Sequence, residues 1–561
     1  MSAAPLPPDL PKHEINHFAS EQLDDEGVGQ VFQEVPAGTK AVALNVAGCK
    51  KLTDEGFARL ADAVPKLDGV EVLSINVGTC RTVTEDSVAK LVAGVAGVGS
   101  LRRVDLDFNC CSNVKGDGVK QVAVGLAPLV GLQEIYVSFF RCSGVSNDGL
   151  IGFGDGLASF PALTSVTGNF GNISGLQDEG VGGIFQRLGK CSNLSRIKLD
   201  FKSCQKLKDG SIAEATAALS SLPQLRELDL NFETCFTIGD QGVAQFGAGL
   251  GGLKNLQRIL LSFQSVFNLE DGGFISLCKG LSALQGLQVL ELNVESCEKI
   301  TDGGLAMLGV GLQGLTRLAL NMKGCKAIGQ DLTAFSETLA GWAALKELDL
   351  NFMDCKTMSD ASLVSIGRGL ANLGQLHLLR LNCVGCKDIG DDGFAAFGAG
   401  ITKLTEVADV GLKFSKCEGI GDQGLSRFAL RLGSMKSLRC LSMIMENNKS
   451  ISKDGLSQLG AAIADLPQLS DLELDFADSK KIKDQAVKSL TDGIAKVASL
   501  KTLRLDFLGT GLSPDVAKHF GQITSVERLP QNSLKKPAAP AAEKAAAAAP
   551  GAAPPAAAPA P

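Results

Sequence analysis

Leu225-Arg-Glu-Leu228-Asp-Leu230-Asn-Phe232-Glu-Thr-Cys235-Phe-Thr-Ile238-Gly-Asp240-Gln-Gly242-Val243 carries two periods in one short stretch. Leu228, Leu230 and Phe232 alternate with polar Asp229 and Asn231, the period of a half-buried strand. Val243 is followed at steps of three and four by Phe246, Leu250 and Leu253, which marks one face of a helix. The pattern recurs about every 31 residues, sixteen times in succession. Units begin at Thr39, Val70, Leu101, Leu132, Leu163, Leu194, Leu225, Leu256, Leu287, Leu315, Leu345, Leu376, Val407, Leu438, Leu469 and Leu500. Those from Leu287 and Leu315 have 28 and 30 residues, and every other complete unit has 31. A repeat of this length buries its apolar face only against its neighbours. The 561 residues are therefore expected to form one stacked solenoid, not several globular domains.

Within a unit numbered from its first residue, positions 4, 6 and 8 are apolar. Position 8 is Phe in ten units, among them Phe108, Phe201 and Phe352, and stacking in register predicts a continuous buried ring column. Position 16 is Asp in most units (Asp240, Asp302, Asp422), which fits a helix N-cap. Gly recurs at position 25 (Gly125, Gly249, Gly400), where it lets the helix approach the sheet. Each unit thus reads as strand, bend, helix and return. Repeated right-handed crossovers make the strands parallel. Strands about 4.8 Å apart backed by helices about twice as wide must curve the stack, with the sheet on the concave side.

Residues 1–23 are Pro-rich and then polar and are expected to be a flexible extension. Residues 24–38 match the second half of a unit and are expected to be a capping helix. The repeat domain with its C-terminal cap is assigned to 39–531, and the Ala/Pro-rich 532–561 to a disordered tail. The net charge of −7 gives no support for nucleic-acid binding, which favours a basic stripe. The N-terminus lacks the basic-then-apolar order of a signal peptide, so the sixteen cysteines are expected as free thiols in the cytoplasm. No apolar run is long enough to span a membrane, and no membrane partner is expected.

The pattern L-x-x-L-x-L-x-F-x-x-C-x-x-I-x-D-x-G-L resembles the leucine-rich repeat superfamily. It is closest to its ribonuclease-inhibitor-like and cysteine-containing classes, and Cys297-Glu-Lys-Ile300-Thr-Asp302-Gly-Gly304-Leu305 carries the likeness best. The resemblance implies an α/β horseshoe with a parallel sheet inside and helices outside. It also implies a holding function of one of several kinds: adaptor, inhibitor, cytoskeletal or ciliary scaffold, or a ubiquitin-ligase substrate receptor, here without a recognisable F-box.

Motifs that often carry chemistry read as structural here. Cysteine occupies position 11 in eleven units, but Ile173 and Val266 take the same place, which a metal ligand would not allow. Cys383-Val-Gly-Cys386 lacks the second pair that a zinc site needs. Gly247-Ala-Gly249-Leu-Gly-Gly252 matches a dinucleotide fingerprint but falls late in a repeat helix instead of at a strand-to-helix turn. The four histidines, His13, His17, His377 and His519, form no nucleophile–base pattern. No catalysis, cofactor or metal is expected.

That leaves the concave face, where positions 5 and 7 are expected to point to solvent. Position 7 is Asn in eight units, Asp in four and Ser in two. It reads either as an amide ladder along the sheet or as a regular track for a repetitive partner. Position 5 varies freely (Tyr136, Asp229, Glu291, Asp349, Arg380), and there recognition can be written. The two columns hold nine acids and four bases, which favours a basic protein partner. The position-7 column breaks only at Lys413 and Ile444, beside Arg380, and this trio is the expected hot spot. The function expected is non-catalytic protein–protein interaction on the concave face. The second reading is a scaffold of a cytoskeletal or ciliary assembly.

Overall fold

The computed structural model describes residues 5–513 apart from positions 214 and 511. The closing helix expected after Ser513 and the tail expected over 532–561 lie outside the described residues. Seventeen five-residue strands, from Lys12–Asn16 to Thr502–Asp506, form one open sheet. Each strand between the first and the last pairs in parallel with the strands before and after it, in one register: Leu228 stands opposite Ile197 on one side and Ile259 on the other. Helices such as Asp240–Leu250 and Asp422–Leu432 follow the strands and bury the 3-4 face predicted for them. The architecture is an α/β leucine-rich-repeat solenoid.

The ring column forms where successive units carry Phe at position 8, and it is not continuous: Val294, Met322, Cys383 and Met445 interrupt it, leaving Phe352 without a ring neighbour in the column. Phe108, Phe139, Phe170, Phe201, Phe232 and Phe263 are all buried, and neighbouring ring centroids are 5.1–6.3 Å apart. Helix residues meet the column edge-on, as Phe246 meets Phe263. After each strand the chain turns at position 10 in the left-handed region, and the residues there include Thr79, Arg141, Ser203 and Lys416. This conformation costs a non-glycine residue about 1 kcal/mol or more. Two hydrogen bonds offset it: Ser203 N–H donates to the Glu233 carbonyl of the next unit at 2.8 Å, and Cys204 N–H closes the turn on the Phe201 carbonyl of its own unit at 3.1 Å.

The cysteine of position 11 then points back into the preceding unit. Cys235 Sγ donates to the Phe201 carbonyl at 3.2 Å, and Cys142 Sγ to the Phe108 carbonyl at 3.1 Å. Asn448 stands in the same place and reaches the Phe414 carbonyl through Nδ2 at 3.0 Å. A small donor in a dry bend accounts for the column. Burial pushes the thiols up, Cys142, Cys204 and Cys297 to about 12.

Four expectations need correction. The Asp of position 16 is the first helical residue and caps the helix of the following unit: Asp240 Oδ1 accepts from Glu270 N–H at 2.9 Å and Gly273 N–H at 2.6 Å. This explains the Gly at position 18, where a Cβ on Gly273 would stand 2.6 Å from that same carboxylate. The Gly of position 25 lies against the preceding helix and not the sheet; a Cβ on Gly125 would meet Val92 at 2.6 Å. The N-terminal extension is not uniformly loose: Lys12–Asn16 adds a strand to Ala41–Asn45, and Leu6 is buried with Ala41 and Val72. An edge strand needs only one paired side, so its polar Lys-His-Glu-Ile-Asn pattern hid it. The expected 24–38 capping helix shrinks to the single turn Asp25–Val28, with Asp24 accepting from Gly27 N–H.

The two short units thin the helical layer. The helix after Thr301 spans only Asp302–Ala306, and Gly309 and Gly311 turn left-handed at φ 96° and 89°. Trp342, the chain's one tryptophan, fills the gap from the next unit, with Nε1 donating to the Gly309 carbonyl at 3.2 Å. The sheet runs on beneath without a break in register.

The inner face of the sheet as candidate interaction surface

Position 7 is largely committed to the fold. The side-chain Oδ1 of its Asn or Asp accepts from the backbone N–H two residues on. Examples are Asn231 to Glu233 at 2.9 Å, Asp200 to Lys202 at 2.8 Å and Asn382 to Val384 at 3.1 Å. Where amides adjoin they also bond laterally: Asn351 Nδ2 donates to Asn321, and Asn321 Nδ2 to Asn293, both at 2.9 Å. Lys413 and Ile444 have no such acceptor. They stand directly opposite each other on adjacent strands, Lys413 exposed and Ile444 half-buried. Lys413 makes no salt bridge among the described residues, and the Ser415 hydroxyl takes over by accepting from Glu446 N–H at 3.1 Å.

Arg380 lies one strand away and is held. Its Nη1 and Nη2 grip the Asp409 carboxylate at 2.5 and 2.8 Å. To reach it the side chain crosses Gly411, where a Cβ would stand 2.6 Å from Arg380 Cδ. Asp409 and Gly411 escaped the sequence reading. The signal was there, since position 3 shares the inner face with 5 and 7 by the strand's period of two.

Asp229, Glu291 and Asp349 line a shallow trough of about 530 Å³ together with Leu260 and Ala319. Its charges are mostly cross-linked. Lys198 pairs with Asp229 at 2.7 Å, and Glu291 takes Arg258 at 3.1 Å and Arg317 at 3.4 Å. Burial pushes the Asp349 carboxyl up, opposed by Arg380 and Arg317 nearby.

Tyr136 is not on offer to solvent. It is 5% exposed, and Asp105, Ser138, Asn169 and Asp200 around it are buried too, against the expectation that positions 5 and 7 face water throughout. Long neighbours lie down over short ones here: Arg103 clamps Asp105 through Nε at 3.0 Å and Nη2 at 2.6 Å, and the Tyr136 hydroxyl reaches Ser138. In this closed patch burial pushes Asp107 up to about 6.

Among the described residues no group of three or more His, Cys, Asp or Glu is placed to hold a metal ion. No described helix is long and apolar enough to cross a membrane. Cys383 is buried in the ring column, and its neighbour Cys386 donates to the Phe352 carbonyl at 3.2 Å. No family model and no curated protein matches the chain. Among solved structures it is similar to the "Crystal structure of Rad7 and Elc1 complex in yeast" at 16% identity. That match covers 88% of this chain and 90% of that one with a TM-score of 0.38, a likeness that carries no argument about function.

Proposed function

We propose that this solenoid is a non-catalytic cytoplasmic protein-interaction module that holds one protein partner on its inner face, as an adaptor or inhibitor. The observation that carries this reading is the exception at Lys413 and Ile444. Most of the position-7 column serves the chain's own backbone, while these two side chains sit side by side without that duty. An aliphatic surface next to a cation suits a partner that presents an apolar side chain and a carboxylate. The acid count alone favours a basic partner, but salt bridges neutralise much of the central trough. The scaffold reading loses its best support, because the regular amides are engaged within the fold.

The test is quantitative capture of partners by the full chain and by the Lys413→Asn/Ile444→Asn variant. Asn restores the residue type of the column, so folding is preserved. The reading expects a stoichiometric partner retained about tenfold less or worse by the variant. An unchanged set of partners retained equally well sinks it.

A further inference from the structure

Leu6 packs on the inner face of the sheet with Ala41 and Val72, in a cluster separate from the main core. Ala41, Val72 and Arg103 stand in one row across three neighbouring strands. The segment ahead of the first strand follows that row. It is pinned where the Pro11 carbonyl accepts from Lys40 N–H at 2.8 Å and Ala41 N–H at 3.0 Å. Leu6 then lies on Ala41 and Val72, and the Pro5 carbonyl accepts from Arg103 Nη1 at 3.5 Å. Residues 5–10 thus cross the strands as a bound peptide would, and do not extend the sheet. The end of the main core does not need them, because strand Lys12–Asn16 and the turn Asp25–Val28 already cover it with Ile15 and Val28. The surface beneath is unlike the rest of its row. Ala41 and Val72 are apolar, whereas Arg103, Glu134, Ser165, Arg196 and Glu227 continue the same position. Without Leu6 an apolar patch would be bare on an otherwise polar face.

We propose that the inner face over Ala41, Ala43 and Val72 is a docking site for a proline-rich protein segment that presents one leucine, and that residues 5–10 are the chain's own occupant of it, a strap that a partner's segment displaces. The way the strap is held fits displacement. Pro5, Pro7, Pro8 and Pro11 carry no N–H, so the segment cannot form a ladder of backbone bonds. Within residues 5–10 the one backbone-to-backbone bond among the described residues is Leu10 N–H to the Pro7 carbonyl, at 3.5 Å. Leu6 is the one buried side chain of the strap, with Pro7 and Leu10 half-buried and Pro5, Pro8 and Asp9 exposed. Arg103 is already clamped on Asp105, so charge does not select the segment. What the site recognises is a leucine set between prolines, whose fixed φ leaves little freedom to lose on docking. The tether gives the strap a local concentration on the order of millimolar. A partner held by further contacts can displace it, and a free peptide at low concentration cannot.

This surface is distinct from the Lys413–Ile444 site, so either reading can fail alone. The probe is a fluorescent peptide of residues 1–10, titrated against the full chain and followed by anisotropy. Leu6→Ser in the full chain removes the strap's anchor and leaves the main core untouched. This variant is expected to bind the peptide about tenfold or more tightly than the wild type does. The same peptide carrying Leu6→Ser is expected to bind that variant about tenfold or more weakly, a change that cannot disturb the protein's folding. Leu6→Ser/Val72→Glu is expected to bind the unaltered peptide about tenfold less tightly than Leu6→Ser alone. Glu134 and Glu227 show that the strand accepts Glu at this position. Equal binding by the wild type and Leu6→Ser, binding by neither, or no loss with the altered peptide overturns the proposal. So does a wild-type dimer that Val72→Glu dissociates, which would make a second copy of the chain the occupant.

Discussion

Cys235 shows what a single residue does in every turn. Its thiol is small enough for the bend after the strand and donates to a carbonyl that faces no water. Burial pushes such thiols up, so the reactive thiolate is scarce. Brief alkylation of the native protein followed by mass spectrometry should therefore label Cys110 and Cys440, the two half-buried cysteines, well before the other fourteen. Equal labelling across all sixteen contradicts the ladder. Asp107 makes a second residue-scale case. Its folded value of about 6 lies above the ordinary carboxylate value near 3.9, so the folded protein binds this proton more tightly than the unfolded chain. Stability from this group is present below about pH 4 and is lost as pH rises toward 6. Asp107→Asn keeps an acceptor for Asn109 N–H and should unfold about 1–2 kcal/mol less readily than the wild type near neutral pH, with the gap closing toward pH 4. A gap independent of pH counts against the assignment. Both columns were legible as recurrences in the sequence. Their bonding direction was not, because a cysteine and its acceptor lie 34 residues apart and periodicity does not say which neighbouring unit is touched.

Between elements, the interface is built by a pair that sequence reading saw as one helix start. Asp422 accepts from Ser452 N–H at 2.7 Å and Gly455 N–H at 3.0 Å, so it fixes the following helix Lys453–Ala464 against its own. A Cβ at Gly455 would stand 2.8 Å from the same carboxylate. Asp422→Ala alone should cost about 1–2 kcal/mol through two lost acceptor bonds. Gly455→Ala should cost more in the presence of Asp422 than in its absence. A double-mutant cycle by denaturant unfolding is expected to show coupling of about 1 kcal/mol, and additivity within about 0.3–0.5 kcal/mol refutes the reciprocal fit. Strand and helix positions were readable because the periods of 2 and 3.6 are strong and repeated. Helix-to-helix contacts were not, since Gly at position 25 satisfies an approach to the sheet or to a neighbouring helix equally well, and the sequence offers nothing to choose between them.

For the whole molecule, phase and count of the units followed from the leucine pattern, and the open parallel sheet followed from them. The additional strand Lys12–Asn16 did not, having one apolar side chain, Ile15, to announce it. The candidate site was half legible. Lys413 and Ile444 are brought together as the column break suggested, whereas Tyr136 is closed off and Arg380 is pinned by a position-3 residue that was left out of the inner face. The proposed function places the protein partner on the sheet face of the solenoid and not across its helical back. Site-specific photo-crosslinking reads this directly, with the reactive side chain placed at Ser442 on the inner strand or at exposed Leu430 on the outer helix. One discrete adduct is expected from Ser442, lost when Lys413→Asn and Ile444→Asn are also present, and none from Leu430. An adduct from Leu430 with nothing from Ser442 contradicts it.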